Sequence, residues 1–341
     1  MLDTKFSIVI PTYTGQDDIA DCFTSILSQQ DIDRFSFDVI VVIDGPNTDL
    51  EKIVESQISK FKKLDINFSI FKFSKNKGRF EARLKGANES SNDYVLFLDD
   101  RNILAKDYLS TVLTLEKEAL IPNVIEEKGA NFVSNTLNLL RQNFYGNKWG
   151  RDFSSYYIYE DNFEKSSKGT TSFWINRAVF IEACKYVVHG LKNSKDISDD
   201  TKILKRIIEL GFPLYKASEV KLYYRPRKKA LSELKHIYSR GPKFIDYYLK
   251  PGTRFFHSII LLYLLITFFV AILFIYPPLG LYFVFIVLLS ILIFTFLIKK
   301  GEHSRLSTFL GVLFILSFFS AGVFVGQIKK IGHYISNIGT K

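Results

Sequence analysis

Apolar residues in the first part of the chain follow two alternating patterns. Mostly apolar runs at 6–10, 37–43 and 66–73 predict strands, 6–10 with a buried pattern, and the unbroken run 94–98 suits a strand buried on both faces. Between them the spacing turns helical. Ile19, Cys22, Phe23, Ile26 and Leu27 fall at i, i+3, i+4, i+7 and i+8, the stripe of a core-facing helix. Asp17, Asp18 and Asp21 stand near its start, where the helix dipole favours negative charge. Helices are predicted likewise over 50–61 and 80–88. Turn signals punctuate the series: Pro11 stops the first strand, Asp44-Gly-Pro-Asn47 follows the second, and Lys75-Asn-Lys-Gly78 follows the third. Strands alternating with helices over short connections predict βαβ winding, an α/β fold with a mainly parallel sheet between helices. No internal repeat or low-complexity tract is visible.

The pattern is less regular up to about residue 225. Residues 169–177 predict a small-residue loop running into a strand and a helix. Asp199 and Asp200 precede an amphipathic helix with Ile203, Leu204, Ile207 and Ile208 on one side. Residues 211–216 and 220–225 predict closing strands, and 141–159, aromatic and basic with Trp149, suits a wall over a site. Beyond residue 257 the character changes. Apolar runs at 258–276, 279–298 and 306–327 are each long enough to cross a hydrocarbon core as helices, and none contains Lys, Arg, Asp or Glu. The expected division is a globular domain over 1–225, a basic interfacial segment over 226–257, transmembrane helices over 258–327, and a tail over 328–341.

Charge orients this plan. The 341-residue chain carries a net +10, much of it between Lys221 and Arg254, where only Glu233 and Asp246 oppose the cations. Such a belt beside the first span marks the cytoplasmic face and attracts anionic headgroups, so membrane lipids are expected partners and nucleic acid is not. Met1-Leu-Asp-Thr-Lys5 runs directly toward the first strand, so no signal peptide is expected. The expectation is a multi-pass protein of the inner or plasma membrane with its globular domain in the cytoplasm. The uncharged turn at 276–279 suits the far side, and the charged 299–305 the near side. Three crossings put Lys329, Lys330 and Lys341 outside, against the rule; either the last run re-enters or its tail charge is overruled. Cys22 and Cys184 are the only cysteines, which fits a reducing compartment and excludes a Cys-rich zinc site.

The candidate chemistry lies where the run 94–98 ends, in Asp99 and Asp100. Ligands of open α/β sheets bind beyond the carboxyl ends of the strands. Paired carboxylates there suit a divalent cation that in turn holds a diphosphate; the plainer alternative is an acidic, solvated strand exit. Pro11-Thr-Tyr13 and Asp44-Gly45 end two other strands at the same edge. No Gly-x-Gly-x-x-Gly follows the first strand and no Walker loop exists, which argues against a Rossmann or P-loop site.

Taken in order, Ser7-Ile-Val-Ile-Pro-Thr-Tyr13, the Asp44-Gly45 turn, Asn76-Lys-Gly78 with Arg83, and Leu98-Asp-Asp100 resemble the successive signatures of family 2 glycosyltransferases, over roughly residues 5–225. The resemblance implies the GT-A fold and inverting transfer of a sugar from a nucleotide-sugar, with Mg2+ or Mn2+. It implies that Pro11, Thr12 and Tyr13 line the base and ribose, that Asp44 sits near the base, and that Arg83 reaches the diphosphate. The family often has two acids where Ile43 and Asp44 stand. Asp99 and Asp100 match its metal motif, with Asp100 the favoured ligand. The third position of the usual Asp-x-Asp is Arg101, which would supply charge to the diphosphate directly. On the acceptor side it implies Thr171, Asp199 and Trp174, the last stacked on a sugar; the alternatives are that Trp174 is core and Asp199 only an N-cap. It makes Asp200 the general base that takes the proton of the attacking hydroxyl. His236 and Arg240 would meet donor phosphates or lipid headgroups.

The expected function is a membrane-anchored glycosyltransferase with a lipid-linked acceptor, working in cell-surface polysaccharide or glycolipid synthesis. The alternatives are a polyprenyl-phosphate sugar synthase and a non-catalytic, nucleotide-binding membrane scaffold. A processive synthase would need more spans, which only an oligomer would supply.

Overall fold

The structure is a computed structural model that describes residues 4–127, 131–146, 153–187, 197–250, 253, 255–298 and 304–338. Trp149, Arg254, residues 299–303 and Lys341, which carried some of the expectations above, lie outside the described residues. In chain order come β1 (Phe6–Thr12), α1 (Ile19–Leu27), β2 (Phe37–Ile43), α2 (Thr48–Lys62), β3 (Phe68–Lys72), α3 (Arg79–Glu89) and β4 (Tyr94–Leu98). Next are β5 (Asn102–Leu104), α4 (Tyr108–Leu115), β6 (Ala119–Glu126), α5 (Phe132–Tyr145), β7 (Tyr156–Ile158) and β8 (Ser172–Asn176). Then follow α6 (Arg177–Lys185), α7 (Asp199–Glu209), β9 (Leu214–Tyr224), α8 (Ala230–Tyr248), α9 (Phe256–Ile275), α10 (Pro277–Leu297) and α11 (Arg305–Ile338). They form two compact units. One holds the strands with α1–α4, α6 and α7; the other holds α5 and α8–α11.

The α/β unit is one sheet in the order β3-β2-β1-β4-β8-β6-β9-β5, with β7 also on β9. Strands β3, β2, β1 and β4 are parallel neighbours, as the βαβ pattern predicts. Past β4 the sheet is mixed: β8 runs antiparallel to both β4 and β6, β6 is parallel to β9, and β5 and β7 are antiparallel to β9. The expected mainly parallel sheet is thus a mixed one. The change begins at β8, whose direction no periodicity records, and β5 and β7 are three residues each, too short for a hydrophobic pattern to announce them. The two predicted closing strands are one continuous strand, β9.

One core fills this unit. Ile8, Ile10, Val39, Val41, Leu96 and Leu98 meet Ile19, Phe23 and Ile26 of α1. The face that α1 buries is the one its spacing foretold. Helix α3 lies close on β1, since a Cβ on Gly86 would stand 2.2 Å from Val9 Cγ1. That approach brings the turn before Gly86 down onto the sheet.

The helical unit has a different economy of surface. Val133 of α5, Leu234 and Ile237 of α8, and Ile315 of α11 form its buried cluster, with Phe318 and Phe319 against it. Helices α9 and α10 are apolar all round and expose Phe274, Ile275, Leu281 and Phe285. A helix apolar on every side is suited to hydrocarbon rather than water. By length and composition α9, α10 and the 305–332 part of α11 are each able to cross a membrane. Only Tyr276 separates α9 from α10, with Pro277 at the first helical position, where a missing N–H costs nothing. Helix α11 runs on past residue 327 and takes in Lys329 and Lys330.

Candidate active site

The site forms where β4 stops. After Leu98 the chain leaves the middle of the sheet for its far edge, where β5 pairs with β9, so Asp99, Asp100 and Arg101 occupy the corner. The loop before β8 is clamped to this corner. Thr171 O accepts from Asp99 N at 2.7 Å and from Asn102 Nδ2 at 2.6 Å. Its neighbour Thr170 thereby lies beside α3, and the start of α7 brings Asp200 to the same place.

Arg83 joins these parts. Its Nη2 donates to Asp99 Oδ1 at 2.7 Å and to Thr170 O at 2.7 Å. Its Nη1 donates to Asp200 Oδ1 at 2.8 Å and to Thr170 Oγ1 at 2.6 Å, and the Thr170 hydroxyl in turn donates to Asp200. The side chain is 2% exposed. Arg83 therefore does not present its charge to a diphosphate, as the resemblance implied. It sits under the cleft as a cross-link between two carboxylates, because Gly86 lets this part of α3 settle onto the sheet. Arg79, one turn earlier on the same face of α3, lies above it. Its contacts are looser, 3.5 Å to Asp99 Oδ2 and 3.4 Å to Asp200 Oδ2, and it is 38% exposed. The Asp200 carboxylate above all, with Asp99, holds the Arg79 guanidinium in its charged form.

Asp100 has a different setting. Thr12 Oγ1 donates to Asp100 Oδ2 at 2.6 Å, and Gly15 backs the same oxygen so closely that a Cβ there would stand 2.0 Å from it. Burial pushes the Asp100 carboxyl up to about 6; the Thr12 hydrogen bond works against this, Asp99 and Asp18 add to it, and Arg101 opposes it. Arg101 itself pairs with Asp18, 3.3 Å away at the start of α1, so its charge is shared with that acid rather than aimed into the cleft alone.

A profile of glycosyl transferase family 2 matches residues 7–183, just over half of the chain. The chain belongs to that family. An uncharacterized glycosyltransferase of Rickettsia bellii is 31% identical over 116 residues, 34% of this chain and 16% of that protein. The amylovoran biosynthesis glycosyltransferase AmsB of Erwinia amylovora is 31% identical over 119 residues, 34% of this chain and 36% of that protein. The chain therefore spans only a minor part of the length of these relatives. Among solved structures, mannosyltransferase PcManGT from Pyrobaculum calidifontis, in complex with GDP-Man and Mn2+, matches with a TM-score of 0.54 at 13% identity. That match covers 96% of this chain and 86% of the other, and at such identity it speaks for the fold, which is GT-A-like.

Against the family's expected parts, the remaining candidates divide. Pro11 and Thr12 end β1 and are buried, while Tyr13 beyond them is 43% exposed, its carbonyl held by Asn47 Nδ2 at 2.7 Å. Asp44 is buried and spends its carboxylate on the chain: Oδ1 accepts from Lys77 N at 2.6 Å and Oδ2 from Gly78 N at 2.9 Å. It shapes the turn that leads into α3. Thr171 is tied by its carbonyl and hydroxyl to Asn102. Asp199 is buried in the first turn of α7. Trp174 is not a sugar platform. It lies opposite Leu96 on β8, 3% exposed, stacked on Tyr94 at 5.0 Å with Nε1 donating to Lys117 O at 2.9 Å. β8 is an interior strand, and its first four residues, Trp174 among them, are all buried.

A divalent cation fits this corner only in part as expected. Both Asp99 oxygens face guanidinium groups, so Asp99 is already charge-paired, and no cluster of three acidic, His or Cys side chains suited to a metal occurs among the described residues. Asp100 is the remaining donor. One carboxylate together with substrate phosphate oxygens is a common way to hold Mg2+. Arg79, Thr170, Asn102 and Asp18 escaped the reading of the sequence. The two arginines four apart at a helix start were the only available signal; the others owe their places to chain reversals.

Proposed function

We propose that the chain transfers a sugar, with inversion, from a nucleotide-sugar to an acceptor hydroxyl, with Asp200 as general base. The observation that supports this best is the junction at Arg83, which holds Asp200 against Asp99 at the carboxyl edge of the sheet. The exposed Tyr13 ring is the surface offered to the nucleotide base. Arg79 takes the part first assigned to Arg83. Its ion pairs are long and partly solvated, so the donor's diphosphate exchanges readily with Asp200 as its partner. That exchange leaves Asp200 with Arg83 and Thr170 to orient it, and one carboxylate oxygen to receive the hydroxyl proton. Asp100 would hold Mg2+ or Mn2+, which supplies positive charge against the leaving diphosphate.

The apolar α9 and α10 fit a chain held at a membrane, with a lipid-linked acceptor and the α/β unit on the cytoplasmic side. Work in polysaccharide or glycolipid synthesis follows from an acceptor held there. The test is to incubate the purified full chain in lipid nanodiscs with a panel of nucleotide-sugars and membrane lipid extract, with and without chelator. Transfer of one sugar, lost in Asp200→Asn and reduced in Asp100→Asn to a residual level that chelator no longer affects, is the expected result. Nucleotide-sugar binding with no transfer to any lipid fraction would leave a binding scaffold instead.

A further inference from the structure

The three apolar helices do not behave alike. Helix α11 runs side by side with α8, and the two rise together along the chain. Tyr238 and Gly241 meet Gly322, Pro242 meets Gly326, and Lys330 Nζ donates to Leu249 O at 2.7 Å. The approach is backbone to backbone: a Cβ on Gly241 would stand 2.1 Å from the Gly322 carbonyl carbon, and one on Gly322 would stand 2.0 Å from Tyr238 O. Nearer its start α11 lies on α5, with Gly311 against Thr136 and Phe314 against Phe132 at 6.1 Å.

These partners are not membrane helices. Helix α8 carries exposed Lys235 and Arg240 and buries Glu233 and Asp246. Helix α5 carries Asn135, Asn138, Arg141 and Gln142. Were α11 to cross hydrocarbon in this packing, those charges would cross beside it, at a prohibitive cost in desolvation. The outer side of α11 is nevertheless apolar. Leu306, Leu310, Phe324, Ile328 and Ile331 are exposed, and at 3.6 residues per turn they fall on one stripe along the helix. One side covered by charge-bearing helices and an apolar side left open describe a helix lying in the plane of a bilayer surface.

We propose that α9 and α10 alone cross the membrane, and that α11 lies in the headgroup layer of the leaflet beside α8, its Leu306–Ile331 stripe turned to the lipid. The occupant of that stripe is the bilayer itself, because the same unit already carries the hairpin of α9 and α10, which demands hydrocarbon. Arg305 begins α11 by donating to Ile298 O at 3.2 Å and to Thr295 O, the orphan carbonyls that end α10. The hairpin thus delivers α11 to the side from which α9 started. Lys329 and Lys330 then stay with the basic belt, and the conflict with the positive-inside rule disappears. This rests on the reading of α9 and α10 as membrane spans, but not on the transferase chemistry.

Alkaline phosphatase and a fluorescent protein, fused in turn after Pro278 and at the C-terminus of the full chain in a Gram-negative host, separate the cases. Expected are active phosphatase after Pro278, and inactive phosphatase with a fluorescent fusion at the C-terminus. Active phosphatase at the C-terminus overturns the proposal while leaving the membrane reading intact. Inactivity at both sites removes the crossing hairpin, and both readings with it. Spin labels at Leu310→Cys, Phe324→Cys and Ile331→Cys, in a chain whose own cysteines are buried, add a second readout. Equal shallow depth supports the proposal; a steady change of depth from 310 to 331 refutes it.

Discussion

Two neighbouring carboxylates of the site are treated in opposite ways. Asp99 is bound to the buried guanidinium of Arg83, which also holds Asp200. Asp100, the next residue, is hydrogen-bonded by a neutral hydroxyl and pushed up to about 6 by burial. The first corner is neutralised from within and therefore rigid. The second is acidic and short of positive charge, which is the state a bound cation relieves. One strand end thus holds two environments, because each side chain leaves the corner toward a different element: Asp99 toward α3, Asp100 toward the turn after β1.

The contrast is open to attack from several sides. The largest effect is expected at Asp200, the proposed base. Asp200→Asn should lower kcat by between about 10²- and 10⁴-fold in steady-state transfer assays, with nucleotide-sugar binding by calorimetry unchanged. Near-normal activity would instead point to an acceptor that already carries its negative charge, such as a phosphate. Next is the cross-link: Arg83→Met leaves Asp99 and Asp200 facing each other without their shared cation, and should cost about 3 kcal/mol in denaturant unfolding, as well as activity. An unchanged midpoint would mean that the corner is not rigid at all.

A third buried charge sharpens the comparison. Lys216 on β9 pairs with no carboxylate among the described residues; its Nζ donates to Pro122 O at 2.6 Å, at the irregularity in β6, and burial lowers it to about 7. Between pH about 7 and the unfolded value near 10.4, the unfolded chain binds a proton that the folded chain lacks. Stability should therefore rise with pH across that window, by up to about 1.4 kcal/mol per pH unit. Lys216→Met should remove that slope and melt higher than the parent at pH 7; a slope that survives the substitution assigns it to other groups. The smallest change in stability belongs to Arg79→Gln, less than about 1 kcal/mol given its solvated pairs. The same variant should raise the donor KM roughly tenfold if its charge passes to the diphosphate. A KM that stays put, with kcat reduced, would keep Arg79 on Asp200 throughout.

Much of the plan was legible along the chain. The stripe Ile19, Cys22, Phe23 and Ile26, the parallel strands β1 to β4, and the acid pair after Leu98 are local patterns, and they survive folding unchanged. Asp200 was legible too, as an acid at the head of an amphipathic helix, although only α3 and the Gly169–Thr171 loop give it its neighbours. Trp174 was not. An aromatic after a run of small residues suits a sugar platform and a strand core equally well, and its pairing with β4 and β6 decides for the core.

Legible in the sequence alone were the family, the winding of the first four strands, the acid pair that ends β4 and the apolar character of the last helices. Those are properties of composition and period, which need no partner to exist. Tertiary structure alone decided that Arg83 lies beneath the cleft and Arg79 at its surface, that Asp99 is neutralised while Asp100 is not, and that α11 shares glycine contacts with α8. Each of these depends on which distant segment arrives at a given face. A single chain position carries its side chain into the fold, but burial and neighbouring charge are set by the elements that close over it.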